Sequence, residues 1–190
     1  MAGWFERSRL LVTRYPKCAK YPLAIVDIDR QKLYLINRLH LSGRYSVSTS
    51  RYGIGYIKDS YKTPSGVHKV VDKIGNGEPL YRSFKARQPT DKILSPNRYA
   101  TISKTDAICT RIVWLGGLEP HINQGGYHDS QGRYIYIHGT IDEKRIGRPS
   151  SLGCIRMNNR DIVEVFNVLQ RNSLVYITPP RIDNPRIDNP

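Results

Sequence analysis

The sequence predicts a mainly β domain with one principal α-helix near its C-terminal end. Three observations carry this. Runs rich in Val, Ile, Leu and Tyr recur at strand length. Clusters of Gly, Pro, Asn, Asp and Ser separate them. One segment alone, "NNRDIVEVFNVLQRN", carries apolar residues at helical spacing. At 190 residues the chain has the length of one domain, and 39% hydrophobic content is enough for a core rather than a disordered polymer.

The elements follow in chain order. Residues 1–20 read as an N-terminal extension. Its one apolar group, Leu10–Val12, is flanked by Glu6, Arg7, Arg9 and Arg14, whereas a secretory core needs about 7–15 apolar residues. No window approaches the ~20 apolar residues of a membrane span. The expectation is a cytoplasmic protein, or a periplasmic one if the native N-terminus is longer. "LAIVDIDRQKLYLI" alternates and turns near Asp29–Gln31, which predicts a hairpin. "RYSVSTS", "GVHKVVDKI", "TRIVWL", "RYIYIH" and the closing "LVYIT" predict further strands. In the helix, Ile162, Val165, Phe166 and Leu169 fall at i, i+3, i+4 and i+7. Asn158 and Asp161 resemble its cap. Residues 179–190, with "RIDNP" twice, read as a polar tail beyond the main domain at 21–178.

Charge and cysteine content narrow the function classes. The formal net charge is +14, which raises nucleic acid, anionic membranes and anionic substrates as partners. The Lys and Arg residues are scattered, and no zinc-finger spacing, basic-region heptad or RNA-binding aromatic signature occurs. The expectation is no nucleic-acid partner. Three cysteines, Cys18, Cys109 and Cys154, do not form a disulfide framework.

Cys154 lies in a glycine-rich loop after the strand that ends at His138 and ahead of the predicted helix. A thiol becomes a nucleophile when a base takes its proton, and a helix N-terminus favours the thiolate. His138 reaches Cys154 if residues 139–153 fold back. Gly153 permits close backbone approach, and its amide is a candidate oxyanion donor. Arg156 offers a fork for a carboxylate. Other readings stay open on these residues alone. Such a cysteine can be a small buried hydrophobe, the histidine can be satisfied by a carbonyl, and Arg156 can pair with Asp161 or Glu164. Zinc could draw on His121, His128, His138, Cys109 and Cys154, but no pair has metal-ligand spacing, so no metal is expected.

The segment "IHGTIDEKRIGRPSSLGCIRMNNRDI" resembles the signature of the L,D-transpeptidase (YkuD-type) catalytic domain. The likeness runs through His138, Gly139, Thr140, Gly147, Pro149, Ser151, Gly153, Cys154, Ile155, Arg156 and Met157. "KTPSGVHKV" and "YSVSTS" resemble earlier parts of that pattern. Leu152 departs from it, standing where many members have a second His. The resemblance implies a YkuD-like β-sandwich or barrel with its main helix after the catalytic loop. It implies a substrate with a peptidoglycan tetrapeptide stem, or a muropeptide, and no cofactor. Cys154 would attack the carbonyl that joins the stem's third residue to its terminal D-alanine, with His138 as general base and the Gly139 carbonyl orienting it. Arg156 would position the stem peptide or the loop, and Ser151 and Thr140 would lie at the substrate. Hydrolysis of the acyl-enzyme makes an L,D-carboxypeptidase of murein recycling, and aminolysis makes a periplasmic cross-linking transpeptidase. A wall-peptide binding module without catalysis is the reading of another class.

Overall fold

β1 (Leu23–Asp27) and β2 (Lys32–Asn37) form the expected hairpin, with Leu23 opposite Ile36 and Asp27 opposite Lys32. This computed structural model describes residues 4–95 and 107–180, so the repeated "RIDNP" segment lies outside the described residues. The remaining strands are β3 (His40–Ser48), β4 (Gly66–Ile74), β5 (Arg82–Lys85), β6 (Gln88–Ile93), β7 (Cys109–Gly117), β8 (Tyr136–Gly139), β9 (Ile155–Met157) and β10 (Leu174–Ile177). Pairing runs β4–β10–β1–β2–β3–β9–β8–β7, and β7 pairs back onto β4. The sheet therefore closes on itself as a barrel, which removes its edges. The fold is mainly β, as expected.

Among the described residues two α-helices pack on this frame. α2 (Asn159–Val168) turns Ile162, Val165 and Phe166 into the main core, with Leu169 just beyond it. They meet Val113, Leu115, Ile137, Ile155 and Met157 there. The helix ends earlier than its sequence pattern, at Val168, because Leu169 is already extended. Its cap also differs from expectation. Asn158 makes no capping bond, and its side chain meets Asp161 at 3.3 Å. Instead the Asn159 amide donates to Glu143 Oε1 at 2.8 Å, so a carboxylate from the loop after β8 caps the helix.

α1 (Trp4–Arg14) was not legible in the sequence. It presents a narrow apolar stripe among charges. Leu11 packs beside Leu23, Ile25, Ile36, Val67 and Leu174, with Trp4 and Val12 at the rim. The β5–β6 hairpin was also missed. Its strands are mostly exposed and carry no alternation. Its turn residues Ala86 and Arg87 take φ of 49° and 68°, the conformation a two-residue hairpin needs but that Asn-Gly usually announces.

Candidate active site

β8 and β9 run parallel, with Ile137 opposite Ile155 and His138 opposite Arg156. Side chains alternate along a strand. Ile137 and Ile155 face the main core, so His138 and Arg156 turn to the other face. Cys154, one residue ahead of β9, packs on that face against Phe84, Ile112 and Tyr136. Ile112 lies opposite His138 on β7. Cys154 and His138 thus lie on one face of the paired β8 and β9 strands.

This placement corrects one expectation. Cys154 does not sit at the N-terminus of the helix. β9 intervenes, because Ile155 and Met157 are fully buried and extend the core. α2 begins five residues after the cysteine, so its dipole is not the main influence on the thiol.

His138 is 1% exposed, and its Nδ1 stands 2.8 Å from the Gly139 carbonyl. With Nδ1–H donated there, Nε2 is the nitrogen that can accept a proton. The Cys154 thiol donates to the Tyr134 carbonyl at 3.5 Å, and Tyr134 presents that carbonyl from a left-handed φ of 57°.

The loop ahead of Cys154 is built by its own polar side chains. Ser151 Oγ donates to the Cys154 carbonyl at 2.6 Å and accepts the Gly153 amide at 3.3 Å. Gly153 takes a φ of +119° beside the Tyr61 and Lys62 carbonyls. Its own carbonyl accepts Thr63 Oγ1 at 2.9 Å. The Arg156 guanidinium, 4% exposed, meets Ser150 Oγ, Ser48 Oγ at 3.5 Å and the Asp142 carboxylate at 3.6 Å. Thr140 is 1% exposed; its hydroxyl accepts the Asp142 amide and its carbonyl accepts Asn159 Nδ2. Arg156, Ser151 and Thr140 were expected at the substrate. In this structure Arg156 joins β9 to Ser48 of β3 and to Asp142, Thr140 joins the end of β8 to Asn159 of α2, and Ser151 closes the loop around Gly153 and Cys154. Arg156 pairs with Asp142 rather than with Asp161 or Glu164. The Gly153 amide, expected as an oxyanion donor, faces Ser151 in this structure.

Several residues of the site were not singled out from the sequence. Arg87 lies over the rings of Trp114 and Tyr134 at 4.8 and 4.9 Å, and donates to the Tyr136 hydroxyl at 3.4 Å. Burial raises the Tyr136 hydroxyl above its ordinary value, and Arg87 opposes the rise. Tyr134 and Tyr136 each lean on Trp114 with centroids 6.0 Å apart. This ledge borders Cys154, with Tyr134 half exposed. Arg133 and Thr63 hold the facing segment. No local sequence pattern marks Arg87, Arg133 or Thr63, because their contacts join segments far apart in the chain. Among the described residues no three His, Cys, Asp or Glu side chains gather to hold a metal ion, and no helix is long and apolar enough to cross a membrane.

The family profile described as YkuD, the L,D-transpeptidase catalytic domain, matches residues 22–177. A Bacillus subtilis protein provisionally named L,D-transpeptidase YqjB is 28% identical over 159 residues, covering 83% of this chain and 71% of that protein. A Bacillus licheniformis protein provisionally named L,D-transpeptidase YkuD is 43% identical over 56 residues, 29% of this chain and 34% of its own length. Among solved structures, an L,D-transpeptidase fragment from Xylanimonas cellulosilytica aligns with a TM-score of 0.52 at 14% identity, over 84% of this chain and 61% of that one. L,D-transpeptidase 3 of Mycobacterium tuberculosis, carrying a faropenem-derived adduct, aligns with a TM-score of 0.51 at 13% identity, over 83% and 60%. This chain thus spans about a third of the Bacillus licheniformis relative and about three fifths of the solved chains.

Proposed function

The chain belongs to the YkuD family of L,D-transpeptidase catalytic domains, and from that premise we propose that it is a cysteine acyl-transfer enzyme acting on peptidoglycan tetrapeptide stems. Cys154 Sγ attacks the carbonyl carbon of the third residue while His138 Nε2 takes the thiol proton. The tetrahedral intermediate collapses, the C–N bond to the terminal D-alanine breaks, and His138 returns the proton to the departing amine. A thioester on Cys154 and free D-alanine result. The observation that carries this reading is the His138 Nδ1 contact with Gly139 at 2.8 Å on the strand beside Cys154. It fixes the tautomer a general base needs, with a backbone carbonyl in the orienting role that a carboxylate plays in other triads. The Gly153 amide joins an oxyanion pocket once its long bond to Ser151 opens.

The thioester has two fates, water or an amine. We favour water, giving an L,D-carboxypeptidase that trims tetrapeptides to tripeptides in the cytoplasm. Soluble stems are dilute acceptors, whereas water is always present. The test is purified protein on a disaccharide tetrapeptide, with products read by mass spectrometry. Tripeptide plus D-alanine supports the hydrolytic reading. A dominant cross-linked dimer assigns the chain to transpeptidation, and unchanged substrate assigns it to binding alone.

A further inference from the structure

We propose that Arg133 is a positioning residue of the Cys154 site, a fixed cation that clamps the segment facing the cysteine and favours its thiolate. The inference rests on Cys154 being the nucleophile. Arg133 immediately precedes Tyr134, whose carbonyl receives the Cys154 thiol. Its side chain makes three hydrogen bonds to one strip of backbone. Nη1 donates to the Gly55 and Tyr56 carbonyls at 3.1 and 2.8 Å, and Nη2 donates to the Lys62 carbonyl at 2.7 Å.

That strip lies against the cysteine loop. A Cβ at Gly153 would stand 3.6 Å from both the Tyr61 and Lys62 carbonyl oxygens. Ser50 bridges to Ser151, and Ser50 Oγ donates to the Tyr61 carbonyl at 2.5 Å. Thr63 Oγ1 donates to the Gly153 carbonyl at 2.9 Å. The Arg133 guanidinium is therefore one carbonyl removed from Gly153, the residue before the nucleophile.

All three partners are neutral carbonyls, so the hydrogen bonds fix the charge in place without neutralising it. Burial pushes the guanidinium below its ordinary value, and the ionised forms of Cys154 and Asp59 pull it back. Such an interaction is mutual: a cation held near a thiol lowers the free energy of its thiolate. Arg87, a second cation on the ledge that borders the cysteine, is spread over Trp114 and Tyr134 and bonded to the Tyr136 hydroxyl. Arg133 is the better placed of the two.

The experiment is alkylation by iodoacetamide with each cysteine followed by peptide mapping, in wild type, Arg133→Gln, Arg133→Lys and Lys58→Gln. Cys109 is fully buried, so its protection reports that a variant is folded. In wild type, Cys154 should react faster near neutral pH than Cys18, which is also partly exposed. If it does not, the nucleophile reading itself fails. In Arg133→Gln, Cys154 should slow roughly tenfold near neutral pH, and the gap should close in alkali where any thiol ionises. Arg133→Lys should recover most of the neutral-pH rate, because it keeps the charge. Lys58→Gln, which removes an exposed cation from the same segment, should match wild type. The proposal is overturned if Arg133→Gln follows wild type at every pH, if it is slower by the same factor at every pH, or if Gln and Lys are equally slow.

Discussion

Replacing Gly139 by Ala tests how the His138 site is built. Gly139 lies opposite Cys109 on β7. A Cβ there would press on Asn159 Oδ1, stand 2.7 Å from the Cys109 carbonyl oxygen and 3.1 Å from Thr110 Cβ. None of these neighbours yields easily. The Cys109 carbonyl is central-strand backbone. Asn159 Oδ1 accepts from the Thr110 hydroxyl and the Cys109 thiol, while its Nδ2 is bonded to the Thr140 carbonyl and to Glu143. Overpacking of this kind costs about 1–3 kcal/mol. At about 2–4 °C per kcal/mol for a domain of this size, the melting temperature should fall by about 2–12 °C. The same displacement moves the carbonyl that holds His138 Nδ1 at 2.8 Å. Misplacing a catalytic group by about 1 Å costs on the order of a hundredfold, so kcat should fall far more than KM rises. Circular dichroism melts and steady-state kinetics on the tetrapeptide check both. A Gly139→Ala enzyme with wild-type melting temperature and wild-type kcat would show that the Gly139 backbone neither limits packing there nor positions His138.

The other predictions rest on the same geometry. Cys154→Ala and His138→Ala should each lose several orders of magnitude in turnover, while Cys18→Ala keeps it, as D-alanine release assays would show. Arg156→Ala leaves Asp142 and the Ser48 and Ser150 hydroxyls without their cation; it should cost about 1.5–3 kcal/mol in urea titrations. His68 is fully buried, with Nε2 3.0 Å from Ser130 Oγ, and burial lowers its pKa from 6.5 to about 4. Between those values the unfolded chain binds a proton that the native protein does not. Stability should therefore fall as pH drops from about 6.5 to about 4, by up to about 3 kcal/mol. His68→Gln should flatten that part of the urea-stability profile against pH, and an equally steep profile would show that other groups cause it.

Periodicity made part of the fold legible in the sequence. The β1–β2 hairpin, β4, β7, β10 and the core face of α2 carry alternation or helical spacing strong enough to read locally. β8 was displaced, beginning at Tyr136 rather than Arg133, because Tyr134 takes a left-handed turn that no glycine announced. β9 was hidden because a three-residue strand has no period of its own, and only pairing with its neighbours defines it. The Cys–His pair could be named because both residues fall in one short segment, and the family resemblance singled them out from the other readings. The rest of the site could not be. Arg133, Thr63, Ser150, Asp142 and Glu143 act through contacts set by the barrel's closure, and each looks like an ordinary polar loop residue in one dimension. For the same reason the partners of Arg156 could not be named: its closeness to Ser48 and Asp142 is a tertiary fact.

Intact-protein mass spectrometry during turnover decides whether Cys154 carries the acyl group. On rapid acid quench with a disaccharide tetrapeptide, the protein should gain the mass of the substrate less one D-alanine. Peptide mapping should place that adduct on Cys154 as a thioester labile to hydroxylamine, and His138→Ala should fail to accumulate it. Release of D-alanine with no adduct on Cys154, or with the adduct on Cys18 or Cys109, would show that Cys154 is not the nucleophile.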